Sequence, residues 1–262
     1  MTWEVYALRW ATDPERRAAR NFLGGAPEGV DGEAPMPVAY HAFLLRGPGG
    51  VVAMDTGADA ARVARYGKRD FRGMEAALAA LGAVGAEVRT VVQTHLHWDH
   101  AGQPGLFPAA TFHLQRRELA YVEGPARRHA VLRAGYEAAD VAAAAALLRA
   151  GRVVLHDGVA ALAEGLSFHH VGGHTDGLGV VRARTRRGWM CLATDAVAFR
   201  ANLEREVPFP ALFHVGDALE AFETVRALAD GPALVIPGHD PWVVDAHPAA
   251  APDTAGWLAR LD

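Results

Sequence analysis

Between Thr94 and Gly102 the chain reads Thr-His-Leu-His-Trp-Asp-His-Ala-Gly, which places His95, His97, Asp99 and His100 within six residues. Each of these side chains can offer a lone pair to a divalent cation. His95 and His97, one residue apart, can converge on one ion, while Asp99 and His100 lie further along and can face a second. Imidazole and carboxylate together suit zinc, iron, manganese or cobalt; calcium and magnesium prefer all-oxygen sites. The alternative is a polar loop that collects three histidines and an aspartate by chance, and the density of ligands argues against it.

Such ligands need a rigid support, and the flanking sequence supplies one. Val88-Arg89-Thr90-Val91-Val92-Gln93 is apolar and β-branched, the make-up of a buried strand, so the motif sits where a strand ends and a loop begins. Upstream, Trp3 to Arg9 reads as a first strand. Residues 11–37, rich in Gly, Pro and charge, form a loop long enough to be functional or mobile. Val38 to Leu45 and Gly50 to Met54 make a hairpin around Gly47-Pro48-Gly49-Gly50. The second of these strands runs into Asp55-Thr56-Gly57. There Asp55 either fixes the tautomer of a ligand histidine or closes a turn. Met74, Ala77, Leu78 and Leu81 recur at helical spacing within 71–84, a helix that delivers the chain to the strand before His95.

Downstream, 111–114 is a short strand and 116–123 a helix, and the Ala-rich stretch 125–150 adds one or two more helices. Residues 119–150 are expected to form either a helical cap that shapes a pocket or plain helical packing. Strands at 152–156, 167–171, 179–185 and 189–194, a helix at 216–229 and a strand at 233–237 repeat the first half in outline. His174, Asp195 and His239 then fall just past strand ends, as His95 does. Ligands far apart in sequence can gather at one rim in such an arrangement.

Bulk properties narrow the class. The chain has 262 residues, 51% of them hydrophobic, and a formal net charge of −4. It is expected to form a single domain, 1–262, with no general attraction to nucleic acid or an anionic membrane. Arg182, Arg184, Arg186 and Arg187 are better explained as the charged face of a hairpin tip. Cys191 is the only cysteine, so no internal disulfide forms, and between Met190 and Leu192 it should pack as a small hydrophobe. The N-terminus lacks a basic region followed by an apolar core, and no stretch reaches about 18 apolar residues. The expected location is the cytoplasm and the expected partner a small molecule.

The His-x-His-x-Asp-His stretch resembles the signature of the metallo-β-lactamase-fold hydrolases. Further elements of that family follow in order: Gly173-His174-Thr175, Thr194-Asp195-Ala196 and Pro237-Gly238-His239, with Asp55-Thr56-Gly57 upstream. The resemblance spans about residues 38 to 240. It implies an α/β fold, a four-layer αβ/βα sandwich. It also implies two divalent metal ions, zinc first, with iron, manganese or cobalt compatible. His95, His97 and His174 would hold one ion, Asp99, His100 and His239 the other, and Asp195 would bridge them. Asp99 would also act catalytically, relaying a proton from the attacking water to the departing oxygen.

Within the family the chain most resembles the N-acyl homoserine lactonases, which implies opening of a lactone ring. Many of those enzymes carry a tyrosine three residues after the bridging aspartate, where this chain has Ala198 followed by Phe199. Tyr40, His41, Tyr121 and Tyr136 are the residues that could replace its hydrogen bond. Three rival readings stand beside lactone hydrolysis: a thioesterase of the glyoxalase II kind, a phosphodiesterase, and a non-catalytic small-molecule binder. No glutathione-binding residues or added nucleic-acid module can be identified. An apolar approach to the metals is expected from 11–37, 119–150 and the stretch 199–213.

Overall fold

A computed structural model describes residues 1–262. Twelve strands form in chain order: β1 Glu4–Asp13, β2 Val38–Gly47, β3 Gly50–Met54, β4 Thr90–Val92, β5 Thr111–Gln115, β6 Val153–His156, β7 Val159–Ala163, β8 Leu166–His170, β9 Gly179–Thr185, β10 Gly188–Thr194, β11 Val235–Pro237 and β12 Leu258–Arg260. Eight helices accompany them: α1 Ala60–Arg65, α2 Met74–Ala80, α3 Arg116–Glu123, α4 Ala130–Arg133, α5 Ala138–Arg149, α6 Arg200–Arg205, α7 Val215–Leu228 and α8 Trp242–Asp245. One sheet has the order β12-β1-β2-β3-β4-β5-β6 and the other β11-β10-β9-β8-β7.

The layers follow from alternation along each strand, because successive side chains point to opposite faces. Val5 and Ala7 of β1 meet Phe168, Val181, Met190 and Leu192 of the second sheet in the interior between the sheets. Tyr6, Leu8 and Trp10 point the other way and pack under Met74, Ala77 and Leu78 of α2. On the far side, Cys191 and Ala193 of β10 meet Ala221, Phe222 and Val225 of α7. Helix, sheet, sheet and helix therefore stack as the expected four-layer α/β sandwich. Phe168, fully buried between the sheets, is one keystone. Phe168→Ala should lower stability by about 3–5 kcal/mol in urea unfolding, the usual cost of emptying an aromatic core position.

Several boundaries differ from the sequence expectation. β1 runs on to Asp13 because Trp10 and Ala11 are buried, with the register shifting between Arg9 and Ala11. The strand near 152–156 does not open the second half. As β6 it pairs with β5 in the first sheet, and the C-terminal β12 joins that sheet beside β1. β7, β12, α1, α6 and α8 were not expected. The helix sought over 71–84 is shorter, Met74–Ala80. Cys191 is fully buried, and burial pushes its thiol pKa up to about 12.

The parallel strands decide where the site lies. β3, β4 and β5 run parallel, as do β10 and β11, so their C-terminal ends collect on common rims. Two of these ends are unusual. Asp55, just past β3, has φ 63°, and Thr194, the last residue of β10, has φ 42°. A β-branched residue in the left-handed region costs about 1–3 kcal/mol and persists only where its surroundings enforce it. Here the bend sends the chain into Asp195. At 238 a Cβ would fall 2.7 Å from the carbonyl carbon of Thr194, so glycine is what allows the ends of β10 and β11 to meet.

Candidate metal centre

All seven residues singled out in the sequence meet at this rim. His95, His97, Asp99 and His100 leave β4, His174 follows β8, Asp195 follows β10 and His239 follows β11. The ligand atoms of His95, His97 and His174 lie within 4.8 Å of one another, as do those of Asp99, His100 and His239. Asp195 forms a third such group with His95 and His100. Its Oδ2 stands 3.2 Å from Nε2 of His95 and 2.8 Å from Nε2 of His100, and its Oδ1 stands 2.6 Å from Nε2 of His239.

The far side of each ring shows which nitrogen carries the proton. Nδ1 of His174 faces the carbonyl oxygen of Ala211 at 2.6 Å, and Nδ1 of His239 faces that of Ala39 at 2.9 Å. Carbonyls only accept, so both Nδ1 atoms donate. Nδ1 of His100 donates to Asp55 at 2.8 Å. Thr94 gives its hydroxyl proton to Asp55, 2.7 Å away, so its oxygen accepts from Nδ1 of His95 at 3.1 Å. With Nδ1 engaged behind, Nε2 is the atom that His95, His100, His174 and His239 turn toward the centre, while His97 turns its Nδ1 inward, 2.9 Å from Nε2 of His174.

Acceptors facing acceptors repel unless a cation lies among them. Nε2 of His95 and of His100 are both buried without a hydrogen-bond partner, although Asp195 is near. Burial opposes charge on His100, yet Asp195, Asp99 and Asp55 outweigh it and raise its pKa well above the ordinary value. On His95, burial and the neighbouring His100 and His97 act together and hold its pKa well below the ordinary value. This donor set suits divalent cations: imidazoles fixed by outer hydrogen bonds, with carboxylates between them.

Asp55 is the organiser that the sequence suggested. Buried, it accepts from the Thr94 backbone at 2.8 Å, from Gln93 Nε2 at 3.0 Å and from His100. Glu118 was missed. Fully buried on α3, it accepts from the Leu96 backbone at 2.9 Å, from Thr175 Oγ1 at 2.6 Å and from Tyr136 Oη at 2.9 Å. It thereby ties the loop of His95 and His97 to the loop of His174. A glutamate on an amphipathic helix carries no local sign of this. His169 and His170, adjacent on β8, bond to Ser167 and to the Asp176 carbonyl and do not line the pocket.

The pocket above the centre has a volume of about 220 Å³. Each of the three expected stretches contributes: Arg16 from the long loop, Tyr121, Val131, Leu132 and Gly135 from the helical segment, and Phe209 and Leu212 from the third. Phe213 does not line it; its ring packs on Tyr121 instead. Ala198 is buried in the core beside Phe199 and does not line the pocket.

Gly135 approaches His97 so closely that a Cβ would fall 2.4 Å from Cδ2 of that ring, while its carbonyl accepts from the Trp98 backbone at 2.8 Å. Gly135→Ala should therefore displace His97. Turnover or metal affinity should fall about 10- to 100-fold, the range for a disturbed ligand support, with little change in the urea midpoint. Unchanged kinetics and metal content would mean that the loop yields instead.

Comparison with known proteins fits this geometry. The model of the metallo-beta-lactamase superfamily matches residues 36–239, most of the chain and all seven residues of the centre. The chain belongs to that superfamily. Among relatives, N-acyl homoserine lactonase AttM of Azorhizobium caulinodans is 38% identical over 111 residues, 37% of this chain and 40% of that one. The match thus spans about two fifths of that relative's length. Among solved structures, an N-acyl homoserine lactone hydrolase with product N-hexanoyl-L-homoserine at its catalytic metal centre superposes with TM-score 0.70 at 20% identity, covering 92% of this chain and 94% of that one. AidC, a dizinc quorum-quenching lactonase, superposes with TM-score 0.67 at 16% identity, covering 92% and 88%. At these identities the structures speak for the fold.

Proposed function

We propose that this metallo-beta-lactamase superfamily member is a dinuclear metal hydrolase that opens a lactone ring, N-acyl homoserine lactones being one class to test. His95, His97 and His174 would hold one divalent ion, Asp99, His100 and His239 the other, with Asp195 between them. The observation that carries this reading is the set of Nε2 atoms of His95, His100 and His239, each held from behind through Nδ1, that face Asp195 at 2.6–3.2 Å. Similarity to AttM and to product-bound lactonases supports the choice of substrate. When bound, the two ions, zinc by preference for this imidazole and carboxylate set, supply Lewis acidity and lower the pKa of a water toward neutrality.

The chain's own groups do the rest. Burial opposes ionisation of Asp99, but His100 and His239 outweigh it and hold its pKa below the ordinary value, so it is a carboxylate at neutral pH. It lines the pocket. Asp99 is thus placed to accept a proton from the attacking water and return it to the ring oxygen as the ester bond breaks. Of the four residues that could replace the missing tyrosine, Tyr121 and Tyr136 spend their hydroxyls on Leu132 and Glu118, and His41 bonds to Gly238 outside the pocket. Tyr40 lines the pocket with its ring 5.3 Å from that of His239, and its hydroxyl is the donor we assign to the carbonyl oxygen.

Val131, Leu132, Phe209 and Leu212 wall the approach. We take 119–150 as a cap insertion on a single domain. No helix is long and apolar enough to cross a membrane, and the cytoplasm is the location we infer. Purified protein should contain two ions per chain. It should turn over lactones faster than a glutathione thioester or bis-p-nitrophenyl phosphate, and chelators should stop it. Faster turnover of the thioester or the phosphodiester would replace this reading, and turnover of none would leave a binding protein.

A further inference from the structure

One charged side chain of the pocket lies outside the metal-ligand set proposed above: Arg16. It stands on the long loop after β1, whose neck is closed by a hydrogen bond from the Met36 backbone to the Arg16 carbonyl at 3.0 Å. The side chain is half-buried and held in a bracket. Its Nε donates to Asn21 Oδ1 at 2.9 Å and its Nη2 to the Arg20 carbonyl at 2.8 Å. Asn21, fully buried, donates in turn to the Met36 carbonyl at 2.9 Å and accepts at its own carbonyl from Asn202 Nδ2 at 2.9 Å. A guanidinium has five N–H donors, so this bracket leaves Nη1 for a ligand.

Both oxygens that hold Arg16 are neutral, so neither cancels its charge. Asp13, the carboxylate whose field reaches it, is already paired with Lys68 at 2.7 Å, and Arg20 adds a like charge. Burial and Arg20 together press its pKa below the usual arginine value. The guanidinium lies 5.5 Å from the centre of the Phe209 ring, which stacks 6.4 Å from that of His239. One aromatic ring therefore separates an uncompensated cation from the metal centre.

We propose that Arg16 is an anion subsite, and that the substrate is a compact lactone bearing a carboxylate a few bonds from the scissile carbonyl. The inference rests on the lactonase reading above. A half-desolvated cation without a counter-ion is costly. A carboxylate relieves that cost through charge-assisted hydrogen bonds about twice as strong as neutral ones. A purely alkyl arm would leave Arg16 unpaired against an apolar wall. Phe209 and Leu212 would cover the carbons between the two polar ends of the ligand.

The test compares wild type, Arg16→Gln and Arg16→Lys on γ-butyrolactone, N-hexanoyl homoserine lactone and γ-butyrolactone-γ-carboxylate. In Arg16→Gln, KM for the carboxylated lactone should rise about 10- to 100-fold, the range for losing a hydrogen bond to a charged group, with kcat nearly unchanged. The neutral lactones should be unaffected, Arg16→Lys should recover part of the loss, and the wild-type preference should weaken with salt. Calorimetry on the metal-loaded protein gives a second readout, in which wild type binds glutarate more tightly than butyrate and Arg16→Gln loses the difference. Equal KM shifts on neutral and acidic lactones, or no wild-type preference for the acids, would overturn the subsite while leaving lactonase activity intact. If wild type turns over no lactone, the functional reading fails and the calorimetric comparison still decides the subsite.

Discussion

Asp195→Ala is expected to be the most damaging single substitution in the centre. Its two oxygens touch both groups of ligands, Oδ2 at 2.8 Å from His100 Nε2 and 3.2 Å from His95 Nε2, and Oδ1 at 2.6 Å from His239 Nε2. The residue is buried, and the imidazoles around it hold its pKa well below the usual carboxylate value against the opposing effect of burial. Removing one partner of a buried charge pair costs about 3–5 kcal/mol. At 1.36 kcal/mol per decade that is about 10²- to 10⁴-fold in kcat/KM. Metal content should fall below two ions per chain while circular dichroism stays native. Wild-type kcat/KM together with two ions per chain in this variant would show that Asp195 does not lie between the metals.

Chelation is expected to cost stability as well as turnover. Without a cation, the Nε2 atoms of His95 and His100 stay buried without hydrogen-bond partners, and Asp99 and Asp195 stay buried beside them in a desolvated site. A ligand that binds only the folded state, present at about 100 to 1,000 times its Kd, stabilises it by about 2.7–4.1 kcal/mol. For a chain of this size that is a rise of about 5–16 °C in Tm. Differential scanning calorimetry with EDTA, and again after zinc is restored, measures it. Equal melting temperatures with and without metal would mean that the cluster tolerates its own charges, and the metal reading would lose its physical basis.

How much of this could be read beforehand depends on how local each signal is. The candidates from His95 to His100 are contiguous, and His174, Asp195 and His239 each fall within four residues of a strand's end, so the gathering of these seven side chains was legible in the sequence. Asp55 was legible for the same reason, since it ends β3 beside the strand that carries the motif. β7, Val-Ala-Ala-Leu-Ala, and the three-residue β12 lack the alternation and β-branching that mark strands. The place of β6 in the first sheet is set by pairing with β5, which no local pattern reports. Arg16, Gly135 and Glu118 act through approaches between segments distant in the chain. A charged residue in a long loop, a glycine in a helical stretch and a glutamate on a helix each read as unremarkable in one dimension.

The central claim is that two metal ions in this centre open a lactone, and a metal titration of turnover tests it most directly. Metal-free protein would be titrated with zinc while hydrolysis of γ-butyrolactone and N-hexanoyl homoserine lactone is followed alongside bound metal. The account predicts no turnover without metal, full turnover at two equivalents per chain, and no recovery at any zinc concentration in Asp195→Ala. Full lactone turnover in the metal-free protein, or saturation at a single equivalent with Asp195→Ala still active, would contradict it.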